Sequence, residues 1–335
     1  MLHAMQILRK WASLALLLAV HPARGQDMHF SLFDLATPIL QEREGQTPEY
    51  IAGANYKFQW SRVPVNYRTV RLYYRTRFIG LANWADFQAG LRLDHDRAGD
   101  GNLTLDGIVF TAGIVRTLTP WLSLGLDLNL GHYQRRVQME RLSFGSQFTD
   151  LYHPDLPSGE VTTRPSLHFT DTGFRLTAQA RHGALRSIVW TLGAAHLNRP
   201  ETAFGSDAVH IPPRWEMILA GSYQLSGRTD LLGSVLWQRQ LVYREWMLRS
   251  GVKYYLKPGI NHILAVSFVA GWRIGDGFSP QFKLFVGPWT AAVGYDLNLS
   301  PFRIATRGFG GPEMAVRYTA PIVPPMPPKK VCPIF

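Results

Sequence analysis

The 335-residue chain is 46% hydrophobic, 12% aromatic and only 18% charged. Low charge and many aromatic residues exclude a disordered chain. The formal net charge of +11 comes from basic residues that alternate along predicted strands and form no run, which argues against a nucleic-acid partner. After the N-terminus no stretch supplies about 18 consecutive apolar residues, so the sequence predicts no helical membrane span. A membrane-like composition without such a helix favours strands.

The first 25 residues have the pattern of a secretory signal peptide. Arg9 and Lys10 form a basic region, residues 11–20 form an apolar region, and the small residue Gly25 precedes Gln26. This segment is too short for a membrane anchor, and we predict cleavage near Gly25. Residues 26–50 then form an N-terminal segment that lies in the periplasm or inside the lumen described below.

Alternation of apolar and polar residues recurs from residue 51 to residue 320 and is clearest in residues 121–131. There Leu alternates with Ser, Gly, Asp or Asn, so that one strand face suits hydrocarbon and the other a polar lumen. About fourteen such runs of roughly 9–11 residues predict an all-β fold, a transmembrane antiparallel β-barrel in the outer membrane. In chain order the runs lie near 56–61, 70–75, 87–94, 108–114, 122–131, 169–181, 187–198, 214–225, 230–241, 245–256, 262–273, 279–286, 289–299 and 312–319.

The connections support this topology. If the N-terminus lies in the periplasm, the even-numbered connections are periplasmic and have the composition of tight turns. The odd-numbered connections include the long segments 136–166, 199–213 and 299–311. Short periplasmic turns and long outer loops are typical of outer-membrane barrels. After Gly131 the alternation would place polar residues towards lipid, so we expect that strand to leave the membrane there.

Tryptophans also fall at the predicted strand ends, where indole prefers the membrane–water interface. A soluble β-sandwich is the alternative, but its core would bury aromatic residues in mid-strand. The periplasmic and then the outer tryptophans are Trp84, Trp121 and Trp289, and Trp60, Trp215, Trp246 and Trp272.

Ten charged residues face the lumen in this register. A wall of mixed sign can line an aqueous pore or form a cross-linked, plugged interior. Because residues before 50, including 41–46, could enter the barrel, we expect an occluded lumen. The ten residues are Arg71, Arg75, Arg92, Asp94, Asp127, Arg249, Lys253, Asp296, Glu313 and Arg317.

The sequence predicts no metal, cofactor or catalytic site. Asp94, Asp96 and residues 99–101 resemble a calcium loop, but Ala98 and Leu105 stand where an EF-hand needs ligands. A Gly/Asp-rich outer hairpin turn is the favoured interpretation. No serine in a nucleophile-elbow context accompanies the histidines, so we expect no enzymatic activity and expect His196 to end a strand and contact backbone. The histidines considered are His168, His182, His196 and His210.

The chain changes character at residue 321. Five prolines between 321 and 328 cannot donate ladder hydrogen bonds, and we expect residues 321–335 to form a periplasmic tail that could dock on a partner. The single cysteine, Cys332, cannot form an internal disulfide. It is either a structural bystander or a contact to a partner.

Several segments, in order along the mature chain, resemble the PorP/SprF outer-membrane proteins of the type IX secretion system and gliding machinery. The chain departs from the family in its N-terminal region, which lacks an Asn-Pro-Ala-rich stretch and carries Pro38 and the charged residues 42–44 instead. The similar segments are residues 26–31, 56–61, 90–103, 142–147, 193–200, 211–214, 294–300, 311–314 and 332–335.

The resemblance implies a barrel that is not an enzyme and binds no cofactor. Members of the family support secretion or surface attachment of adhesins and other cargo with a C-terminal sorting domain. They also associate with the ring lipoprotein and its partner proteins in the periplasm. A general small-solute porin is the alternative function that the barrel pattern leaves open.

Overall fold

The computed structural model describes residues 30, 32, 48–60, 67–78, 84–148, 153, 155–159, 165–205, 208–257, 264–301 and 303–321. The predicted signal peptide, residues 41–46 and the tail beyond residue 321 lie outside the described residues. In the part that is described, no helix is long and apolar enough to cross a membrane.

The described residues form fourteen antiparallel strands, and this confirms the predicted all-β barrel and its strand number. Each strand pairs with its neighbours in the chain, and the first strand pairs with the last, so the barrel is closed. The strands are β1 Pro48–Gln59, β2 Tyr67–Phe78, β3 Asp86–Ala98, β4 Leu103–Thr119, β5 Leu122–Arg136, β6 Ser166–His182, β7 Leu185–Ala195, β8 Arg214–Ser226, β9 Thr229–Gln240, β10 Tyr243–Lys257, β11 Leu264–Arg273, β12 Gly277–Val286, β13 Trp289–Asn298 and β14 Phe309–Pro321.

The alternation in β5 separates a lipid-facing side from a lumenal side as predicted. Leu124, Leu128 and Leu130 are 42–59% exposed on the outer surface, whereas Asp127 is only 3% exposed and faces inward. Tryptophans at both ends of the strands are exposed in the same way, as interfacial anchors require.

β5 does not end where its leucine pattern ends. Its register with β4 and β6 continues from His132 to Arg136, where Arg136 pairs with Thr104 and Ser166. The polar residues therefore lie on an extension of the sheet, because the strand can leave the hydrocarbon without losing its ladder hydrogen bonds. β4 and β6 have 17 residues each and β11 to β13 have 10 each, so one side of the barrel wall is taller.

The connections follow the predicted asymmetry. Two-residue turns join β4 to β5, β6 to β7, β8 to β9 and β12 to β13 at the end where β1 begins and β14 ends. The opposite end carries the connections 137–165 and 196–213 and the short helix Arg303–Thr306. The predicted hairpin turn between Ala98 and Leu103 is confirmed by their pairing.

Candidate functional site in the barrel lumen

The inner wall of the barrel is the candidate site. All ten charged residues predicted to face the lumen lie on inward positions of their strands, alternating with exposed outward neighbours. Buried charges are costly unless they are paired and hydrogen-bonded. Seven of the ten satisfy this requirement through two ion-pair networks, and the outer rim adds a third set of contacts.

The first network joins β2, β3 and β5. Asp94 is fully buried and accepts from the Nε of Arg71 at 2.5 Å and from the Nε of Arg92 at 2.8 Å. Arg92 also donates to the hydroxyl of Tyr133 at 2.9 Å. Asp94 is therefore the shared acceptor of two arginines.

A second contact of this network spans the wall from β2 to β5. The guanidinium of Arg75 reaches the carboxylate of Asp127, which also accepts from the amide of Gln88. The intervening strands carry Gly90 and Gly113 at inward positions. A Cβ at Gly113 would collide with the Asp127 carboxylate, and one at Gly90 would contact the Arg75 side chain at 3.6 Å. Inward glycines thus make room for long side chains to cross neighbouring strands.

The other network lies at the seam where β1 meets β14, and we call it the seam network. Lys57 is 1% exposed, and its Nζ lies 2.9 Å from Asp296 and 3.8 Å from Glu313. Arg273 lies 3.7 Å from the same Asp296 oxygen. These residues belong to β1, β11, β13 and β14, so their charges bridge the strands that close the barrel.

Residues from the N-terminal segment sit inside the lumen on this seam. The backbone N–H of Leu32 donates to Oε1 of Glu313 at 2.8 Å. The Leu32 side chain is 2% exposed and packs with Ala292 and Ala315. Its Cδ2 would lie only 3.0 Å from a Cβ at Gly294, so the absence of a side chain there makes room for Leu32. We call this contact region the N-terminal seat.

Phe30 lies in the lumen as well. It is 5% exposed, and the guanidinium of Arg71 stands 5.0 Å from its ring centroid, a cation–π arrangement. Residues 30 and 32 of the N-terminal segment therefore lie inside the lumen, and occlusion of the lumen as a whole stays a prediction. The sequence predicted this role for the residues before 50, including 41–46, without singling out Phe30 or Leu32. The available signal was two apolar residues flanking Ser31, outside any predicted lipid-facing strand.

A cavity of about 150 Å³ remains beside these residues. Phe30 borders it, together with Arg92, Asp171 and Glu216 from the wall and Ile211 from the β7–β8 connection. An apolar cluster contributed by inward residues and the same connection lies at this part of the lumen: Val109, Tyr133, Leu167, Phe169, Phe204 and Ile211. The cavity thus has both charged and apolar walls.

The outer rim brings distant segments together. The N–H of Gln138 donates to the carbonyl of Gly101 at 2.8 Å, and a Cβ at Gly101 would lie 2.9 Å from Cδ2 of Leu142. Gln147 is buried in the same connection, accepting from the N–H of Phe144 at 3.0 Å and donating to the carbonyl of Leu156 at 3.0 Å. The segment after β5 is therefore folded against the β3–β4 hairpin.

His196 follows the end of β7, as predicted, and its ring contacts a carboxylate. Nδ1 of His196 lies 3.0 Å from Asp171 on β6. Nearby, Asn198 accepts from the N–H of Thr172 at 3.1 Å and donates to the carbonyl of Thr170 at 2.8 Å. The predicted strand end at His196 is confirmed, and β6 extends far enough to present Asp171 to its ring. A contact of this ring with backbone stays a prediction.

Neither a protein-family model nor a curated protein matches this chain. Solved outer-membrane barrels do. The Ralstonia pickettii toluene transporter TbuX is 8% identical with a TM-score of 0.50, covering 84% of this chain and 91% of that chain. The P. putida toluene transporter TodX (11%, TM-score 0.45, 82% and 89%) and the translocator domain of the Neisseria meningitidis autotransporter NalP (11%, TM-score 0.35, 81% and 87%) also match. At these identities the likeness to TbuX shows the fold alone. The closed barrel, with its apolar outer surface, is that of an outer-membrane protein.

Proposed function

We propose that this outer-membrane barrel is a non-enzymatic component of a type IX secretion or gliding machinery. In this role it supports secretion or surface attachment of cargo proteins with a C-terminal sorting domain. It contacts the ring lipoprotein and partner proteins from the periplasmic side. The observation that carries the proposal is that the segments resembling the PorP/SprF family, far apart in sequence, meet at two places in the fold.

The first meeting place is the N-terminal seat with its seam network. Segment 56–61 supplies Lys57, segment 294–300 supplies Asp296, and segment 311–314 supplies Glu313. Segment 26–31 supplies Phe30, two residues before the Leu32 N–H that Glu313 accepts. Three of the similar segments therefore build one contact, and segment 26–31 leads directly into it, which supports a shared lumenal architecture rather than a chance likeness of short motifs.

The second meeting place is the outer rim. Gly101 from segment 90–103 packs against Leu142 from segment 142–147. A rim built from folded connections offers a surface to proteins outside the cell, which suits a role in cargo attachment. A lumen filled by wall charges and N-terminal residues suits such a role better than free diffusion of solutes.

Affinity isolation from native membranes tests the proposal. A tagged full-length chain, cross-linked in cells that contain the secretion system, is expected to recover the periplasmic ring components. Removal of residues 321–335 should lower that recovery. In a strain from which the gene is deleted, cargo proteins should remain inside the cell. Normal cargo display in the deletion strain, with no ring component recovered, would contradict the proposal.

A paired substitution separates the rim from the periplasmic contacts. Leu142→Glu should detach the connection that packs on Gly101 and reduce cargo display while ring recovery stays unchanged. Leu156 belongs to the same connection and is 38% exposed, so Leu156→Glu is the matched control. Equal effects of the two variants would show that the rim contact has no specific role.

A small-solute channel is the second candidate. The fold likeness to TbuX, a toluene transporter, and the lumenal cavity favour it. Planar-bilayer recordings distinguish the two functions. Large, steady currents from the wild-type barrel would favour the channel, whereas a barrel with Phe30 and Leu32 seated in its lumen is expected to conduct poorly.

A further inference from the structure

A row of arginines crosses the outer surface of the tall side of the barrel. In the strand register Arg68 stands opposite Arg97, Arg97 opposite Thr104, and Thr104 opposite Arg136. All three arginines are exposed and point outward, away from the lumen. We call Arg68, Arg97 and Arg136 the arginine row.

The arginine row lies just above the lipid-facing surface. Leu72 on β2 and Leu93 on β3 are 46% and 41% exposed on the same outward face, four positions from Arg68 and Arg97 along their strands. Four residues of strand span about 13 Å, which is roughly 10 Å of height in a barrel strand tilted by about 40°. The row therefore lies at the level of lipid headgroups.

The charges of the row are incompletely balanced by the protein. Like charges directly opposite each other on neighbouring strands are destabilising, and Arg68 and Arg97 stand in that relation. The Nε of Arg97 donates to Asn102 at 2.7 Å, and we find no other hydrogen bond of Arg97 among the described residues. The contact with Asn102 orients the guanidinium and leaves its terminal nitrogens available to an anion.

Arg136 is held in place by an acidic neighbour. Its Nη2 lies 2.5 Å from one oxygen of Asp106, and His95 lies 2.6 Å from the other oxygen. Asp106 thus positions a second guanidinium beside the row. An open groove of about 400 Å³ lies between these residues, lined by His95, Arg97, Asn102, Thr104, Arg136 and Ser166.

We propose that this groove binds the phosphate group of an outer-leaflet lipid headgroup. Arginine matches the geometry of phosphate oxygens through two parallel N–H groups, and basic pockets at headgroup level bind anionic lipid headgroups. Thr104 adds a hydroxyl group between Arg97 and Arg136, and Ser166 adds one beside Arg136. The inference is independent of the proposed role in secretion, because it rests on the outer surface alone.

Native mass spectrometry of the full-length barrel tests this site. The probes are a bisphosphorylated lipid A and the same lipid without its phosphates, each titrated into the detergent-solubilised protein. Wild-type protein should retain the phosphorylated lipid, and Arg97→Gln combined with Arg136→Gln should weaken its binding by about tenfold or more. Arg116 is an exposed, outward arginine at the other end of β4, so Arg116→Gln is the matched control and should bind as wild type.

Three results would overturn the proposal: equal binding of the dephosphorylated lipid, unchanged binding in the double variant, or the same loss in Arg116→Gln. Displacement of the lipid by an equal concentration of inorganic phosphate would identify free phosphate as the ligand and reject the lipid headgroup. Heat-modifiable gel mobility of each variant shows whether its barrel is folded. If the double variant does not fold, Arg97→Gln alone takes its place and should still weaken binding severalfold.

Discussion

Replacing Lys57 by Met tests whether the seam network stabilises the barrel and its N-terminal seat. The substitution keeps the length of the side chain and removes an ammonium that lies 2.9 Å from Asp296 and 3.8 Å from Glu313. Both carboxylates are buried, at 5% and 1% exposure. The variant therefore leaves two buried acidic groups with one cation fewer.

The expected loss follows from the contacts that remain. Removing one partner of a buried ion pair costs about 3–5 kcal/mol, because the other charge stays buried. Asp296 keeps Arg273 at 3.7 Å, and Glu313 keeps the N–H of Leu32. We therefore place the loss in the free energy of unfolding at the low end, about 3 kcal/mol.

Urea titration of the barrel folded into lipid vesicles, followed by tryptophan fluorescence, measures this loss. Lys253→Met is the matched control: Lys253 is a lumenal lysine whose Nζ lies 4.0 Å from the Phe285 ring centroid, a contact worth about 1 kcal/mol. A double variant with Lys57→Met and Glu313→Gln should lose less than the sum of the two single losses, because one uncompensated charge is gone. If Lys57→Met costs no more than Lys253→Met, the seam network does not stabilise the barrel.

The same substitution has a second readout at the N-terminal seat. In a Cys332→Ser background, Leu32→Cys places one thiol where the native side chain is 2% exposed. Its labelling by a polar maleimide should be slow, and adding Lys57→Met should accelerate it about tenfold if the seat loosens. Rapid labelling without Lys57→Met would mean that Leu32 is not seated in the lumen.

Three further predictions concern the lumen and the rim. Leu32→Asp should raise single-channel conductance in planar bilayers, because it brings a carboxylate to a site that already holds a buried one; unchanged conductance would count against occlusion by this residue. Gly101→Val should speed limited proteolysis of the β5–β6 connection severalfold, because its Cβ would lie only 2.9 Å from Leu142. Gly145→Val is the control and should have no such effect, because a Cβ there meets no atom within 4 Å. Asp94→Asn should lower the free energy of unfolding by about 3 kcal/mol in the urea assay, since two arginines share that carboxylate; a loss below 1 kcal/mol would contradict the shared pairing.

Strand alternation was enough to predict the barrel and the side of the wall on which each charge lies. Period-two patterning decides which side faces lipid, so Asp127 and Glu313 could be placed in the lumen from sequence alone. The ion pairs that those charges form could not be predicted from the sequence. The contact of Arg75 with Asp127 spans two intervening strands, and its geometry depends on strand tilt and on the space left by Gly113.

The contacts of the N-terminal seat were even harder to predict from the sequence. Leu32 and Glu313 are 281 residues apart, and no periodicity connects them. Phe30 and Leu32 belong to no strand, and Phe33, Leu35 and Leu40 in the same segment are apolar too. Apolar character therefore did not single out the two lumenal residues. The continuation of β5 to Arg136 was hidden for a related reason: outward polar residues normally end a lipid-facing run, yet a ladder between long neighbouring strands persists above the membrane.

The position of the seat couples it to closure of the barrel. Hairpins between consecutive strands join residues close in sequence, whereas pairing of β1 with β14 joins the two ends of the chain and carries the largest loop-closure cost. Lys57 lies on β1 and Glu313 on β14, so their ion pair forms only when those two strands have paired. The Glu313 carboxylate also accepts the Leu32 N–H. The N-terminal segment can therefore take its full set of contacts only in a closed barrel. In turn, each contact of the N-terminal segment with β13 and β14 stabilises the closed barrel.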